Sequence, residues 1–199
     1  GERLKKIYGN NQKLQERCAR LRLLDQTAGG SLPGRPKIDF EAYVQRRYFQ
    51  QIIAFANRRL ETMTGGNFVL RCRSMEQLGN RGSVGLDLDV YSLETGKLRD
   101  VRTLSGGESF MAALSMALGM ADVISRSAGG IQMKAMFVDE GFGSLDEYSR
   151  EQAIGVLSEL AGADRMIGII SHVTELKESI DRQLVVTKTK RGSHVRWSR

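Results

Sequence analysis

Two adjacent carboxylates, Asp139 and Glu140, follow the mostly apolar run 133–138. In an α/β protein, a short buried strand of this kind delivers the residues that follow it to the carboxyl edge of the sheet, where ligands bind. There Asp139 is suited to hold Mg²⁺, directly or through water, and Glu140 is suited to position and polarise an attacking water. An acidic loop after a strand is the ordinary alternative, which the tight loop 141–146, ending in Asp146, makes weaker.

The segment Ser105-Gly106-Gly107-Glu108 stands at the start of a predicted helix, because apolar residues recur at helical spacing over 110–124. The unpaired N–H groups and the positive dipole end of a helix attract anions. Adjacent glycines let the backbone approach an anion closely, and the Ser105 hydroxyl adds a donor. The segment therefore predicts a phosphate site, although an ordinary helix cap would explain it better if it stood alone.

A second short apolar run, 165–170, predicts another buried strand that ends close to His172. If this strand lies beside the first, His172 reaches the same edge as Asp139 and Glu140, where its imidazole can contact a terminal phosphate. A structural histidine is the usual alternative for such a residue taken singly, and Ser171 could be a local cap.

The sequence contains no phosphate-binding P-loop, which requires the pattern G-x-x-x-x-G-K-[ST]. The only Gly-Lys pair is Gly96-Lys97; Leu98 follows it, and Tyr91 stands where the first glycine should be. A Ser/His/Asp triad, a glycosidase pair of carboxylates and an H-E-x-x-H motif are also not evident. The chain therefore predicts one side of an ATP site, and the lysine loop must come from elsewhere.

The composition, 199 residues with 41% hydrophobic and 27% charged, indicates one soluble globular domain or one lobe with an appendage. No apolar run approaches the roughly 20 residues of a membrane helix, so we expect no membrane partner. Cys18 and Cys72 are isolated, which argues against a zinc site and favours a reducing cytoplasm. The formal net charge of +7 favours an anionic partner such as nucleic acid, unless the chain has lost acidic neighbours.

The elements that must position these residues follow from periodicity. Residues 2–25 predict a basic helix with a heptad-like leucine stripe, and a loop rich in glycine and proline follows at 29–36. Beyond 104, helices alternate with short apolar strands, which favours an α/β fold with a largely parallel sheet and flanking helices. Between them we predict a helix at 39–63 and strands at 68–73, 84–90 and 98–103.

Basic residues cluster at two places that could grip nucleic-acid phosphates without reading sequence. Arg46, Arg47, Arg58 and Arg59 lie on the predicted helix 39–63, and Lys188, Lys190 and Arg191 lie near the carboxyl end. There we expect His194 and Arg196 to share a face across a turn at 192–193. A solvated charged edge, which also discourages strand-edge aggregation, is the alternative.

The order of these motifs resembles the ABC ATPase superfamily: signature motif, Walker B strand, D-loop and switch histidine. Two strings, LSGGESFMAALSMALGMADVI at 104–124 and VDEGFGSLD at 138–146, are similar to the SbcC family. Members of this family are SMC-like ATPases of a bacterial DNA-break nuclease complex. The resemblance implies the carboxyl-terminal lobe of an ABC-type ATPase head, with the P-loop NTPase fold, at 37–199, and a coiled-coil base and linker at 1–36.

The resemblance also implies roles for individual residues. Asp139 would serve Mg²⁺, Glu140 the hydrolytic water and His172 the γ-phosphate. The residues that would act on ATP held by an opposite subunit are Ser105, Gly106, Gly107, Glu108 and, as a bridge between subunits, Asp146. ATP and Mg²⁺ would belong to the complete head, so we expect this chain alone to be inactive as an ATPase.

By the same resemblance, the partners would be an amino-terminal P-loop segment of the same protein, a second ATPase subunit forming a homodimer, an SbcD-like metallonuclease, and DNA. The head would control an exo- and endonuclease in the processing of double-strand breaks and hairpins. A structural SMC-type DNA tether without a nuclease is the first alternative. A nucleotide-independent interaction module that merely retains the fold is the second.

Overall fold

A computed structural model describes residues 2–31, 39–74, 86–127, 129, 133–162, 165–190 and 192–198. Arg191, most of the predicted loop 29–36, and the first part of the predicted strand 84–90 lie outside these residues.

Two long helices open the chain: α1, Glu2–Ala28, and α2, Phe40–Thr64. α2 begins where the Asp39 side chain accepts a hydrogen bond from the Ala42 N–H, and it ends at Gly65 in the left-handed conformation, φ 62°. The predicted leucine stripe of α1 is exposed. The coiled coil that this stripe favours stays a prediction.

An antiparallel sheet of β1, Phe68–Cys72, β2, Leu88–Ser92, and β3, Leu98–Asp100, follows α2. The strand predicted at 98–103 stops at Asp100, and Val101–Thr103 form a 3₁₀ turn instead. The reason is local: the Asp100 carboxylate accepts a hydrogen bond from the Arg102 N–H and caps the turn.

The α/β part comprises α3, Gly106–Ser127, β4, Ala135–Asp139, α4, Glu147–Leu160, β5, Met166–Ile170, and the short α5, Leu176–Ser179. β4 and β5 pair in parallel from Ala135↔Met166 to Asp139↔Ile170. This two-stranded sheet is the parallel sheet that the sequence pattern predicts, and the other two sheets of the described residues are antiparallel.

The core lies between α2, α3, the antiparallel sheet and α4. Its side chains come from every one of these elements and include Leu60, Met63, Phe68, Leu70, Val90, Met111, Leu114, Leu118, Phe142 and Leu157. α2 and α3 touch closely at Gly119, where an added Cβ would stand 2.6 Å from the Ile52 carbonyl oxygen. The Arg59–Asp122 ion pair, 2.8 Å, joins the same two helices.

β4 and β5, predicted as buried strands, are covered on one face only. Val138 is buried, but Phe137 on the other face of β4 is 64% exposed, and Ile170 at the end of β5 is 54% exposed. Parallel sheets are normally covered on both faces, but the described residues leave this face of β4 and β5 exposed.

A separate antiparallel hairpin, β6, Gln183–Thr189, and β7, Gly192–Ser198, closes the described chain. Gly192 and Ser193 are paired with Thr189 and Lys188 in the hairpin, so the turn predicted at 192–193 is wrong. The prediction that His194 and Arg196 share a face is correct. The opposite face is apolar and exposed. It is formed by the cross-strand pairs Leu184↔Trp197 and Val186↔Val195.

One helix among the described residues is long and apolar enough to cross a membrane by length and composition. This stretch, 106–126 of α3, corrects the expectation that no run qualifies. Of its most apolar window, 44% is buried inside the protein.

Candidate functional site

The carboxyl edge of the β4–β5 pair brings three predicted site residues together. Asp139 is the last residue of β4 and pairs with Ile170, and the Glu140 N–H donates to the Ile170 carbonyl at 2.9 Å. His172 follows β5 by two residues, and its Nδ1 lies 2.9 Å from Glu140 Oε2. The predicted neighbourhood of Glu140 and His172 is therefore present in the fold.

The Glu140–His172 contact fixes which imidazole nitrogen is available for a ligand. A carboxylate can only accept, so the proton of this hydrogen bond belongs to Nδ1 of His172. Nε2 is then the nitrogen left for a ligand: it accepts in the neutral ring and donates to an oxygen only when the ring carries a second proton. Both side chains are open to solvent, with 81% of His172 and 52% of Glu140 exposed.

The backbone turns sharply immediately after β4. Glu140 has a φ of 58°, the one positive value among the described non-glycine residues, and Gly141 has a φ of 96°. A glutamate in the left-handed region is strained and persists only when its surroundings hold it there, which occurs mostly at functional sites.

A second group of predicted residues surrounds the start of α3. The Glu108 N–H donates to Ser105 Oγ at 3.2 Å, and the Ser105 N–H donates to Glu108 Oε2 at 2.8 Å, which is a capping box. Because the Ser105 hydroxyl accepts in this contact, its own hydrogen remains available to an anion. Gly106 is exposed beside it.

Arg99 supports this cap from β3, a role that the sequence did not reveal. Its Nη2 donates to Glu108 Oε1 at 2.9 Å. Partial burial raises the pKa of the Glu108 carboxyl, but hydrogen bonds from the Ser105 backbone and from Arg99 outweigh that effect and hold the pKa below its ordinary value. Glu108 is therefore charged at neutral pH.

Gly107 serves packing within the protein. A Cβ there would stand 2.9 Å from the Ser144 carbonyl oxygen and 3.4 Å from Leu145 Cδ2. The first turn of α3 therefore rests directly on the 141–146 loop. The predicted approach of Gly107 to an anion stays a prediction, and the structure adds a contact between two protein segments at this residue.

Asp146 ends the 141–146 loop as the N-cap of α4. Its carboxylate accepts from the Ser149 N–H at 2.8 Å and the Ser149 hydroxyl at 3.0 Å, and these bonds lower the pKa of Asp146. Asp146 and the capping box of Ser105 and Glu108 line one cavity of about 300 Å³. The predicted residues thus form two groups, one at the β4–β5 edge and one around this cavity.

The basic residues predicted to contact DNA differ in their availability. Arg46 is buried and donates to the Arg73 carbonyl, which corrects its assignment to an exposed basic face. Arg59 is held by Asp122, and Arg58 lies over the Phe55 ring. Arg47, Arg58, Lys188 and Lys190 are exposed, and Arg191 lies outside the described residues.

Residues 78–159 match the family described as SbcC/RAD50-like, Walker B motif. This chain carries an SbcC/RAD50-like Walker B region. It is 45% identical over 184 residues to the SbcC subunit of the nuclease SbcCD from Treponema pallidum, covering 92% of this chain and 17% of that protein. It is 43% identical over 195 residues to the corresponding SbcCD subunit of Vibrio cholerae, covering 98% of this chain and 19% of that one. The resemblance to SbcC is confirmed.

Solved structures confirm the fold class. The Smc head domain of Pyrococcus furiosus, with an extended coiled coil and bound to the carboxyl-terminal domain of ScpA, superimposes with a TM-score of 0.61 at 16% identity. The match covers 99% of this chain and 44% of that one. The chain therefore has the α/β fold of SMC head domains, and it spans less than a fifth of the length of the curated relatives it matches.

Proposed function

We propose that this chain is the carboxyl-terminal lobe of an ATP-hydrolysing, SMC-like head that dimerises on ATP and controls an associated DNA nuclease in break and hairpin processing. The observation that carries the proposal is the Glu140–His172 pair beside Asp139 at one sheet edge, in a chain without a P-loop. The similarity to SbcC proteins supports the same interpretation.

Exposed apolar surface supports the view that the lobe is half of a head. Phe137 and Ile170 on the bare face of the β4–β5 pair, and Trp197 on the hairpin, expose more than half of their surfaces. Patches of this kind mark surfaces that another part of a protein covers. A P-loop-bearing amino-terminal lobe, seated on this surface, would supply the missing phosphate-binding lysine.

The residues present fit a magnesium site of the kind that is completed by substrate. No cluster of three or more His, Cys, Asp or Glu side chains occurs in the described ranges. Asp139 offers one exposed carboxylate, and Mg²⁺ in nucleotide sites is commonly held by one or two carboxylates together with waters and phosphates. Bound there, Mg²⁺ would neutralise phosphate charge.

Glu140 would act on the attacking water, and His172 would contact the γ-phosphate. The Glu140 carboxylate accepts a hydrogen bond from the water and orients it in line with the γ-phosphorus, so that the bond to the leaving ADP oxygen breaks as the water oxygen attacks. His172, with Nδ1–H donating to Glu140, would donate from Nε2 to a γ-phosphate oxygen when the ring carries a second proton.

The signature segment, residues 105–108, would act on a nucleotide held by the opposite subunit. The Ser105 hydroxyl and the N-terminal end of α3 favour an anion there. Because each ATP site would then contain groups from two subunits, nucleotide binding and dimer formation stabilise one another. The same proposal includes DNA contact by the exposed residues Arg47, Arg58, Lys188 and Lys190, and a location in the cytoplasm.

The proposal is tested by joining the chain to its amino-terminal P-loop segment and measuring ATP hydrolysis. Glu140→Gln keeps the size and polarity of the side chain but cannot accept the water proton, so we expect turnover to fall by roughly 10²–10⁴-fold while ATP still pairs the heads. Glu147→Gln, which changes an exposed carboxylate in the first turn of α4, is the matched control. Wild-type turnover by Glu140→Gln would contradict the role of Glu140.

A structural DNA tether without a nuclease is the competing function. Co-expression with an SbcD-like metallonuclease separates the two, since a stable complex whose nuclease activity responds to ATP is expected only of the nuclease-associated head. ATP-driven head pairing with no effect on a co-expressed nuclease would favour the tether.

A further inference from the structure

Phe110, on the second turn of α3, occupies the space beside the strained turn that follows Glu140. A Cβ built on Gly141 would overlap the Cε2 and Cδ2 atoms of the Phe110 ring. Gly141 also has a φ of 96°, a conformation that residues with a side chain rarely adopt. Only glycine satisfies both conditions, so Phe110 and Gly141 are complementary in shape.

The Phe110 ring is itself held in place. It meets the Phe142 ring edge-on, with centroids 5.0 Å apart and planes at 63°. Phe142 is fully buried in the main core, and Phe110 packs against that core. Closely packed side chains of this kind transmit displacement because they leave little free volume.

The 141–146 loop meets α3 at two points, one on each of its first two turns. Gly107 rests on the Ser144 carbonyl, and Phe110 rests on Gly141. Within the loop, the Ser144 hydroxyl and N–H donate to the Gly141 carbonyl at 2.7 and 3.2 Å. The loop is therefore a small rigid unit that α3 holds at both ends.

We propose that Phe110 is a positioning residue for Glu140: its ring fixes the backbone turn at Gly141 and thereby aims the Glu140 carboxylate. This inference rests on the proposed function. The signature segment begins the same helix, so a shift of α3 on contact with a nucleotide is passed through Phe110 to Glu140. In a dimer the signature segment and Glu140 act on different ATP molecules, and the Phe110 contact couples the two sites.

The inference is tested in the complete head, with the amino-terminal segment present. Phe110→Leu keeps an apolar side chain but removes the ring edge from Gly141. We expect kcat to fall by about tenfold or more, because small misplacements of a catalytic group are costly, while KM for ATP stays within about twofold. The Hill coefficient for ATP is expected to fall towards one.

Two further variants separate positioning from loss of packing. Phe49→Leu removes a partly buried ring from α2, outside α3 and the 141–146 loop, and is expected to keep the wild-type kcat and Hill coefficient. Phe110→Tyr retains the ring and is expected to retain turnover. ATP-driven head pairing, measured on all variants, reports whether each still folds and binds.

Loss of kcat in Phe110→Leu no greater than that in Phe49→Leu, in a head whose wild type hydrolyses ATP, would overturn the role of Phe110 and leave the proposed function standing. Loss of kcat in Phe110→Tyr as severe as in Phe110→Leu would also overturn it. A wild-type head that does not hydrolyse ATP would instead overturn the proposed function.

Discussion

At the scale of single residues, the cap at the start of α3 depends on a partner in another element. The side chains of Ser105 and Glu108 each accept a hydrogen bond from the backbone N–H of the other residue. The Ser-x-x-Glu pattern is typical of this arrangement. Arg99 adds the charge that holds Glu108 in place. Its part could not be predicted, because it depends on where β3 ends relative to α3.

Removing Arg99 is expected to weaken the cap in a pH-dependent way. The side chains of Arg99 and Glu108 are about one-third exposed, so Arg99→Met should cost no more than about 1 kcal/mol of unfolding free energy at neutral pH. Because the folded-state pKa of Glu108 lies below its ordinary value of 4.5, this contribution is present above pH 4.5 and is lost as the pH falls through the lower, folded value. Urea unfolding at both ends of that range measures the loss.

Glu108→Gln provides the control for that experiment, since it removes the charge and keeps an acceptor. In this background Arg99→Met should have little effect at either pH. An equal cost in both backgrounds would show that Arg99 acts independently of Glu108.

At the scale of elements, α3 can pack closely against α2 because residue 119 is a glycine and has no side chain. A Cβ there would stand 2.6 Å from the Ile52 carbonyl oxygen and 2.9 Å from the Ala56 nitrogen, and neither backbone atom can move aside easily. Gly119→Ala is therefore expected to destabilise the protein by about 1–3 kcal/mol, although alanine is the better helix former by about 1 kcal/mol.

Gly155→Ala in α4 is the matched control, because nothing lies within 4 Å of the added Cβ. It should leave the stability unchanged or raise it by up to about 1 kcal/mol. Thermal unfolding of the two variants side by side checks the difference. Equal stability would mean that α2 and α3 move apart at no cost.

The positions of the long helices α1, α2 and α3 and of the strands β1, β4 and β5 could be predicted because period and capping are local properties. Asp39 and Gly65 delimit α2, and the apolar run before Asp139 indicates β4. The end of β3 could not be predicted, because the Asp100 side chain takes the Arg102 N–H that would otherwise be free to pair with a neighbouring strand. The burial of Arg46 could not be predicted either, because it depends on a hydrogen bond to the carbonyl of Arg73, which is distant in sequence.

The site residues likewise include contacts that local sequence patterns predict and contacts that only the fold reveals. The Asp139–Glu140 edge and its approach to His172 follow from two apolar runs of similar length placed in parallel. Phe110 and Gly141 are 31 positions apart, and neither residue type by itself indicates a functional role. Only their packing reveals that they belong together.

At the scale of the whole molecule, the exposed apolar face of the hairpin and the exposed face of β4 and β5 support the proposal that this chain is one lobe of a head. Trp197, the only tryptophan of the chain, is 73% exposed. The P-loop lysine is not encoded, so we expect the isolated chain to bind ATP too weakly for calorimetry at micromolar concentrations. Micromolar affinity would contradict the half-site arrangement.

Trp197 would also report on assembly with the proposed amino-terminal lobe. If the amino-terminal segment covers the hairpin, its addition should shift the Trp197 emission to shorter wavelength, because the indole leaves water. Trp197→Ser should weaken the association by about tenfold or more, as expected for a large aromatic side chain at the centre of an interface. Tyr48→Ser, an exposed aromatic on α2, is the control and should leave the affinity unchanged. An unshifted emission spectrum, with association shown independently, would place the lobe on another face and leave the hairpin for a different partner.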